Sequence, residues 1–376
     1  MYKLEVSSPG KVLIVGGYTI LNPKNQGIVV TTKARFHVRI EKYDDGVEFI
    51  LSNFNHEMIQ YKYANNEKYL ILHKGNSNKY IDACIHVVSW FLDKPLSSMK
   101  IYLNADKEFY SFVDIVPGLP AVMNKKTGLG SSATLVSSLV AGILKWNDSL
   151  AQGKLGSGFD VAAAHYGPLL FKSCISLKNI ALNDLTKSWA HENSEEFKDM
   201  IFDWPKPLSI VMGDVSGGSS SPSMAKSVIA YNNSNEWVEL EKRNDVTIDL
   251  FKKLLECSRK EKQFHSFCEN FSLGRFDLCP EYFVDLMNAL KKGFQDIRIA
   301  LKKLGELANV PIEPDEQSER LDSILEIDGV LGAGVPGAGG YDAIFAIAMS
   351  DYARDQFPEI QVMETSVVDS NGLQFE

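Results

Sequence analysis

The chain has 376 residues, 45% of them hydrophobic and 23% charged, with a formal net charge of −9. That length favours two domains over a single core, and the acidic balance argues against non-specific nucleic-acid binding. No run of about 18 apolar residues is present to span a membrane. Residues 1–6 lack a basic start followed by an apolar core, so no leader is expected. Cys84, Cys174, Cys257, Cys268 and Cys279 are scattered without a CxxC pair, which suits a reducing, cytoplasmic setting and argues against structural zinc.

In chain order, residues 4–7, 12–15 and 27–41 read as strands, the last alternating through Phe36, Val38 and Ile40. Asp44-Asp45-Gly46 predicts a hairpin turn. Residues 80–91 have helical apolar spacing, and 100–104 read as another strand. Residues 109–124 give no clear element, because Pro117 and Pro120 interrupt any regular one. A glycine-rich loop then leads into an apolar segment over 135–146. Pro205-Lys206-Pro207 marks a candidate boundary, dividing the chain into domains 1–204 and 205–376. Beyond it come a buried-type strand at 208–212 and a Gly/Ser loop at 217–222. Helical segments follow at 223–231, 247–261 and 280–307, then a strand, glycine turn and strand over 329–350.

Four segments carry candidate chemistry. In Lys126-Thr127-Gly128-Leu129-Gly130-Ser131-Ser132-Ala133 the glycines allow a tight turn and close ligand approach. The serines sit where a helix begins, and a helix start presents unpaired N–H donors to an anion such as phosphate. Gly128, Gly130 and Ala133 also fit the dinucleotide pattern G-x-G-x-x-G/A formally. The residues before them are polar, so the hydrophobic strand that pattern requires is not expected. Gly332-Ala333-Gly334-Val335-Pro336-Gly337 fits still less well, and no P-loop, HExxH or GxSxG motif occurs.

In residues 152–164, small residues surround Asp160 before an alanine-rich run. Asp160 reads either as a helix N-cap or as a carboxylate held beside a bound phosphate. In Pro336-Gly337-Ala338-Gly339-Gly340-Tyr341-Asp342, three glycines make either a plain hairpin turn or a backbone anion site. In residues 7–18, Lys11 at a strand start, with Gly16, Gly17 and Tyr18 after it, approaches a phosphate or caps a solvated strand end. Lys125, Lys126 and Lys154 also lie in or beside these segments, so a basic site is compatible with an acidic chain.

Residues 8–18, 127–133 and 335–342, in this order, resemble the three motifs of the GHMP family of small-molecule kinases. Within it, residues 151–164, Tyr166-Gly167, Gly213-Asp214 with 219–224, and 336–343 resemble the eukaryotic-type branch that phosphorylates 5-phosphomevalonate. The resemblance implies an α+β, two-domain GHMP kinase fold: an N-terminal domain like domain 2 of ribosomal protein S5 and a ferredoxin-like C-terminal domain. It implies ATP and Mg²⁺ as cofactors, 5-phosphomevalonate as the small-molecule partner, no nucleic-acid or membrane partner, and a monomer or homodimer.

Carried over by motif, Lys11 and Asp160 are catalytic. Lys126, Gly128, Leu129, Gly130, Ser131, Ser132 and Ala133 bind ATP, with Ser132 near the metal. Tyr18, Ser157, Gly158, Ser220, Ser221, Gly337, Ala338, Gly339 and Gly340 line the acceptor side. Another kinase of the family, such as one acting on mevalonate, or a sensor that has lost catalysis, is the alternative. The chain departs from the family pattern at Trp146-Asn147-Asp148-Ser149-Leu150, which joins the second motif directly to the Asp160 segment where the family has a longer helical stretch that can supply a Mg²⁺ carboxylate. Asp148 is the acid nearby and is not assigned as a ligand. The adenine pocket is not assigned either.

Overall fold

The computed structural model describes residues 3–22, 24–53, 57–63, 70–92, 94–113, 122–147, 159–172, 201–214, 221–341, 343–357, 362–363 and 372–375. The first half runs β1 (Lys3–Val15), β2 (Gln26–Lys42), β3 (Val47–Leu51), β4 (Glu57–Tyr63), β5 (Leu70–Lys74), α1 (Lys79–Leu92), β6 (Met99–Ala105), β7 (Tyr110–Val113), β8 (Val122–Lys126), α2 (Ser131–Trp146), α3 (Phe159–Tyr166) and β9 (Leu169–Lys172). The second half runs β10 (Ser209–Asp214), α4 (Ser221–Ile229), α5 (Asn235–Lys260), α6 (Phe264–Ser272), α7 (Glu281–Ala308), α8 (Asp315–Leu325), β11 (Val330–Gly334), β12 (Ala343–Ala348), α9 (Asp351–Asp355), β13 (Val362–Met363) and β14 (Gln374–Phe375).

The first sheet has the order β14-β1-β2-β6-β3-β4-β5, with β9 also on β2. Two expected strands, 4–7 and 12–15, are one continuous β1 whose register on β2 shifts between Pro9 and Lys11. Its second half is buried on both faces, which accounts for the unbroken Val12-Leu13-Ile14-Val15 run. The turn at Asp44-Asp45-Gly46 exists, but β2 and β3 are not hairpin partners. Strand β6 lies between them, antiparallel to β2 and parallel to β3. A turn signal fixes the chain reversal only; the non-local pairing with β6 decides the neighbour.

Helices α1 and α2 cover one face of this sheet. Helix α2 lies close enough that a Cβ on Gly142 would meet Ile40 Cδ1 at 3.2 Å and Val38 Cγ1 at 3.5 Å. That close approach fixes where the helix N-terminus falls. Strand β8 does precede the glycine loop, contrary to the polar reading of 124–127, but among the described residues it pairs only with β7, antiparallel, in a two-stranded sheet. Among the described residues no parallel βαβ unit, which dinucleotide binding needs, is formed at this loop.

The second sheet has the order β11-β12-β10-β13, all antiparallel. With helices between β10 and β11 and between β12 and β13, this is a β-α-β-β-α-β unit, the ferredoxin-like arrangement. Helix α5 begins at Asn235, twelve residues before the expected start at 247, and its N-cap Ser234 accepts from the Trp237 N–H. Long α7 packs Phe294 against Gly332 of β11, leaving no room there for a Cβ. One hydrophobic cluster runs from Leu4 to Met349 through both sheets. Strand β14 returns to pair with β1.

Among the described residues no helix is long and apolar enough to cross a membrane, and Cys84, Cys257, Cys268 and Cys279 are free thiols. Burial pushes the Cys84 thiol up to about 12 and the Cys268 thiol higher still. Both are expected to resist maleimide in the native protein at neutral pH and to react once it is unfolded. Mass-spectrometric labelling checks this, and rapid native modification of either would contradict it.

Candidate active site

The site is assembled from the ends of elements. Residues Thr127 to Gly130 form the loop between β8 and α2. Thr127 donates its hydroxyl to the Glu108 carbonyl at 2.5 Å. Leu129 is buried, and its carbonyl accepts from the Lys11 N–H at 3.0 Å. Gly130 caps α2 in the left-handed region, at φ 74°, where a side chain is disfavoured. Thr134 binds the Gly130 carbonyl through both its N–H and its hydroxyl, at 3.1 and 2.9 Å. The Ser8 hydroxyl donates to the Thr134 carbonyl at 2.8 Å. The first helical turn is thereby bolted to β1.

Lys11 leaves β1 at the register shift and lays its stem along Gly130. A Cβ added to Gly130 would lie 3.2 Å from Lys11 Cγ and collide with its Cε. The Lys11 residue is 8% exposed. Its Nζ is 2.8 Å from Asp160 Oδ1. Asp160 is the second residue of α3, inside the first turn rather than the N-cap. It is held there because the alanines behind it, Ala162 and Ala163, pack on Leu13 and Val29. Small side chains let the helix sit close to the sheet and bring the carboxylate to the lysine.

The third motif closes the site from the other half. The turn at 337–340 follows β11, and its Gly340 N–H donates to the Ile312 carbonyl at 2.8 Å. The Tyr18 hydroxyl donates to the Ala338 carbonyl at 2.5 Å. A cavity of about 320 Å³ lies between them, lined by Lys11, Tyr18, Gly128, Asp160, Gly337 and Gly339 among others. Three segments far apart in the chain therefore meet around one lysine and one carboxylate.

Ser131 and Ser132 face another way. They line a second cavity of about 120 Å³ with Asn53, Asn78, Tyr80, Tyr110 and the apolar Phe36, Leu51 and Leu103. Ser131 hydrogen-bonds the Tyr110 hydroxyl. The α2 N-terminus thus separates two cavities. None of the lining residues Asn53, Asn78, Tyr80 and Tyr110 was singled out from sequence, because they come from separate elements and share no motif.

Tyr18 is buried to 4% exposure and its hydroxyl is committed to protein, so it forms a wall more than a free ligand. Burial also holds its phenol well above the usual range, so it stays protonated. Lys126 ends β8, and Ser221 begins α4. Ser157, Gly158, Ser220, Asp148 and Asp342 lie outside the described residues.

For Mg²⁺, no cluster of three or more His, Cys, Asp or Glu side chains is present among the described residues. A Mg²⁺ held mostly by phosphate oxygens and water needs only one or two protein oxygens. Ser132, a hard hydroxyl donor in the first turn of α2, fits that kind of site.

Gly130→Ala is expected to strain the loop and displace Lys11, lowering kcat on the order of a hundredfold. Steady-state kinetics checks this; a near-normal kcat would show that the Lys11 contact with the loop is dispensable.

Residues 286–359 match the family model for the C-terminal region of GHMP kinases. The peroxisomal phosphomevalonate kinase of Arabidopsis thaliana is 26% identical over 464 aligned positions, covering 92% of this chain and 90% of that protein. The phosphomevalonate kinase of Candida albicans is 26% identical, covering 92% and 89%. Among solved structures, Streptococcus pneumoniae phosphomevalonate kinase in complex with phosphomevalonate and AMPPNP superposes with a TM-score of 0.65 at 15% identity, over 98% of this chain and 100% of that one. Residues 286–359 thus carry the GHMP kinase C-terminal match, and the chain is similar over nine-tenths of its length to phosphomevalonate kinases and shares the fold of a solved one.

Proposed function

We infer that this protein transfers the γ-phosphoryl group of ATP to 5-phosphomevalonate, giving ADP and 5-diphosphomevalonate. The observation that carries the reading is the Lys11–Asp160 pair, 2.8 Å apart, at the mouth of the loop before α2. Its support from relatives is the phosphomevalonate kinase name borne by proteins matched over nine-tenths of this chain.

In this reading the triphosphate lies along Gly128, Leu129, Gly130, Ser131, Ser132 and Ala133, with Lys126 beside it. The α2 N-terminus and its backbone donors take the negative charge. The base enters the cavity of Tyr80 and Tyr110, where aromatic faces and asparagine amides suit a flat, hydrogen-bonding ring. The acceptor occupies the cavity walled by Tyr18 and the turn of Gly337, Ala338, Gly339 and Gly340. Ser157, Gly158, Ser220 and Ser221 are assigned to acceptor binding by their motif resemblance alone. Mg²⁺, held by ATP and Ser132, would neutralise charge on the transferring phosphates.

The acceptor is itself a phosphate, whose second pKa is about 6, so it arrives ionised at neutral pH. No strong base is needed. The obstacle is repulsion between two anions, and a buried ammonium in low dielectric is suited to offset it. Lys11 does this, and Asp160 holds the lysine aimed. The split into domains at 1–204 and 205–376 puts the acceptor wall of residues 337–340 in the second domain. The reduced thiols fit a cytosolic enzyme.

A coupled ADP-release assay with mevalonate, 5-phosphomevalonate, homoserine and galactose tests the reading. Turnover confined to 5-phosphomevalonate is expected. Turnover of mevalonate alone would move the chain to another kinase of the family, and none at all would make it a non-catalytic member.

A further inference from the structure

Tyr18 is one of two non-glycine residues among those described with positive φ, at φ 60° and ψ −48°. A bulky side chain is rarely found there, and such a backbone persists only where its surroundings over-determine it. The surroundings here are two anchors on opposite sides. On the pocket side, the Tyr18 hydroxyl is bonded to the Ala338 carbonyl. Gly17 faces the Gly337 carbonyl, with 3.3 Å from its Cβ position.

The second anchor lies on α5, behind the pocket. Asn25 donates through Nδ2 to the Thr19 carbonyl at 3.1 Å and to Glu241 Oε1 at 2.6 Å. Trp237 Nε1 donates to the same Glu241 oxygen at 2.8 Å, and Asn22 Nδ2 reaches it at 3.5 Å. Three residues along α5, Asn244 Nδ2 donates to Thr19 Oγ1 at 2.9 Å. One carboxylate oxygen therefore gathers Asn22 and Asn25, at the C-terminal end of the loop that carries Tyr18, together with Trp237 of α5 itself. Glu241 is not part of the pocket lining.

We propose that Glu241 is a positioning residue for acceptor binding: by anchoring the 16–25 loop to α5 it holds Tyr18 in its strained backbone, and Tyr18 in turn holds the Gly337–Gly340 turn against the acceptor. This rests on the reading that the Tyr18 cavity takes the acceptor. It adds that affinity for the acceptor is set in part by a carboxylate outside that cavity.

Steady-state kinetics of the full chain tests it, scored on whichever acceptor of the panel the wild-type enzyme uses. That choice separates failure of the functional reading, seen in the wild type, from failure of the inference, seen only in the variants. Glu241→Ala is expected to raise the acceptor KM about tenfold, the scale of a lost charge-assisted hydrogen bond, while the ATP KM stays nearly unchanged. Glu241→Gln keeps an oxygen for Asn25 and Trp237 and is expected to recover most of the loss. Tyr18→Phe raises the same KM, and adding Glu241→Ala to it gives less than the product of the two effects. An unchanged acceptor KM, equal rises for acceptor and ATP, a Gln variant as impaired as the alanine, or independent effects in the double variant would each overturn the proposal. Should Glu241→Ala fail to fold, Asn25→Ala breaks the same link from the loop side and is judged by the same outcomes.

Discussion

Replacing Lys11 with alanine is expected to lower kcat about a thousandfold, the scale seen when one preorganised charge is removed from a transition state. Two anions must approach within bonding distance in the proposed reaction, and Lys11 is a buried ammonium beside Gly130 at the α2 N-terminus that lines the cavity proposed to take the acceptor. Lys11→Met is the informative companion. It keeps the stem that packs on Gly130 and deletes only the charge, so it should lose as much. Asp160→Ala is expected to lower kcat strongly but no more than Lys11→Ala, because it misaims the lysine without deleting it. It should also destabilise the fold slightly, since a largely buried ion pair is broken from one side. Rapid-quench measurement of the phosphoryl-transfer step separates these effects from product release. A Lys11→Ala enzyme with near-normal kcat would remove the lysine from the mechanism.

Arg298→Ala is expected to have the largest effect on stability, about 3–5 kcal/mol, because it breaks a buried ion pair from one side. Arg298 of α7 is 8% exposed, and its Nε bonds both Glu313 oxygens at 3.1 Å while Nη2 bonds Oε1 at 2.6 Å. The Glu313 side chain is 2% exposed, so its charge would be left in a medium that cannot solvate it. The further pair of Arg298 with Asp322 is open to water on the aspartate side and adds little. Glu313 follows Ile312, whose carbonyl receives the Gly340 N–H, so the same substitution is expected to loosen the glycine turn and raise the acceptor KM. Urea denaturation measures the stability term. The double replacement Arg298→Met/Glu313→Leu should recover much of it, since an apolar pair carries no desolvation cost. A loss below about 1 kcal/mol for Arg298→Ala would mean that the pair is not sealed from solvent as described.

Much of the site was legible because its residues sit at element ends, where glycines, a lone lysine and a lone aspartate stand out against their neighbours. The meeting of Lys11 with Asp160 and with the Gly128–Gly130 loop follows from those segments once the sheet is built. What sequence did not reveal depends on distant partners. Strand β6 separates β2 from β3 although 44–46 reads as a hairpin, since local turn chemistry is blind to a strand more than fifty residues away. The start of α5 was hidden because Asn244 and Thr247 occupy core-facing positions between Leu240 and Ile248 and interrupt the apolar stripe. Those positions are polar because α5 serves the pocket loop there, Asn244 meeting Thr19. The Tyr18–Ala338 bond and the Glu241 anchor likewise join residues more than two hundred positions apart. The cavity of Asn53, Asn78, Tyr80 and Tyr110 draws on three separate stretches, so no spacing rule could assemble it.

Diffraction from crystals grown with a non-hydrolysable ATP analogue and 5-phosphomevalonate would probe the arrangement most directly. The γ-phosphate should lie within hydrogen-bonding reach of Lys11 Nζ, the base in the Tyr110 cavity and the acceptor phosphate against the turn at 337–340. A triphosphate bound away from the α2 N-terminus, or an acceptor on the far side of α2 from Lys11, would contradict the account.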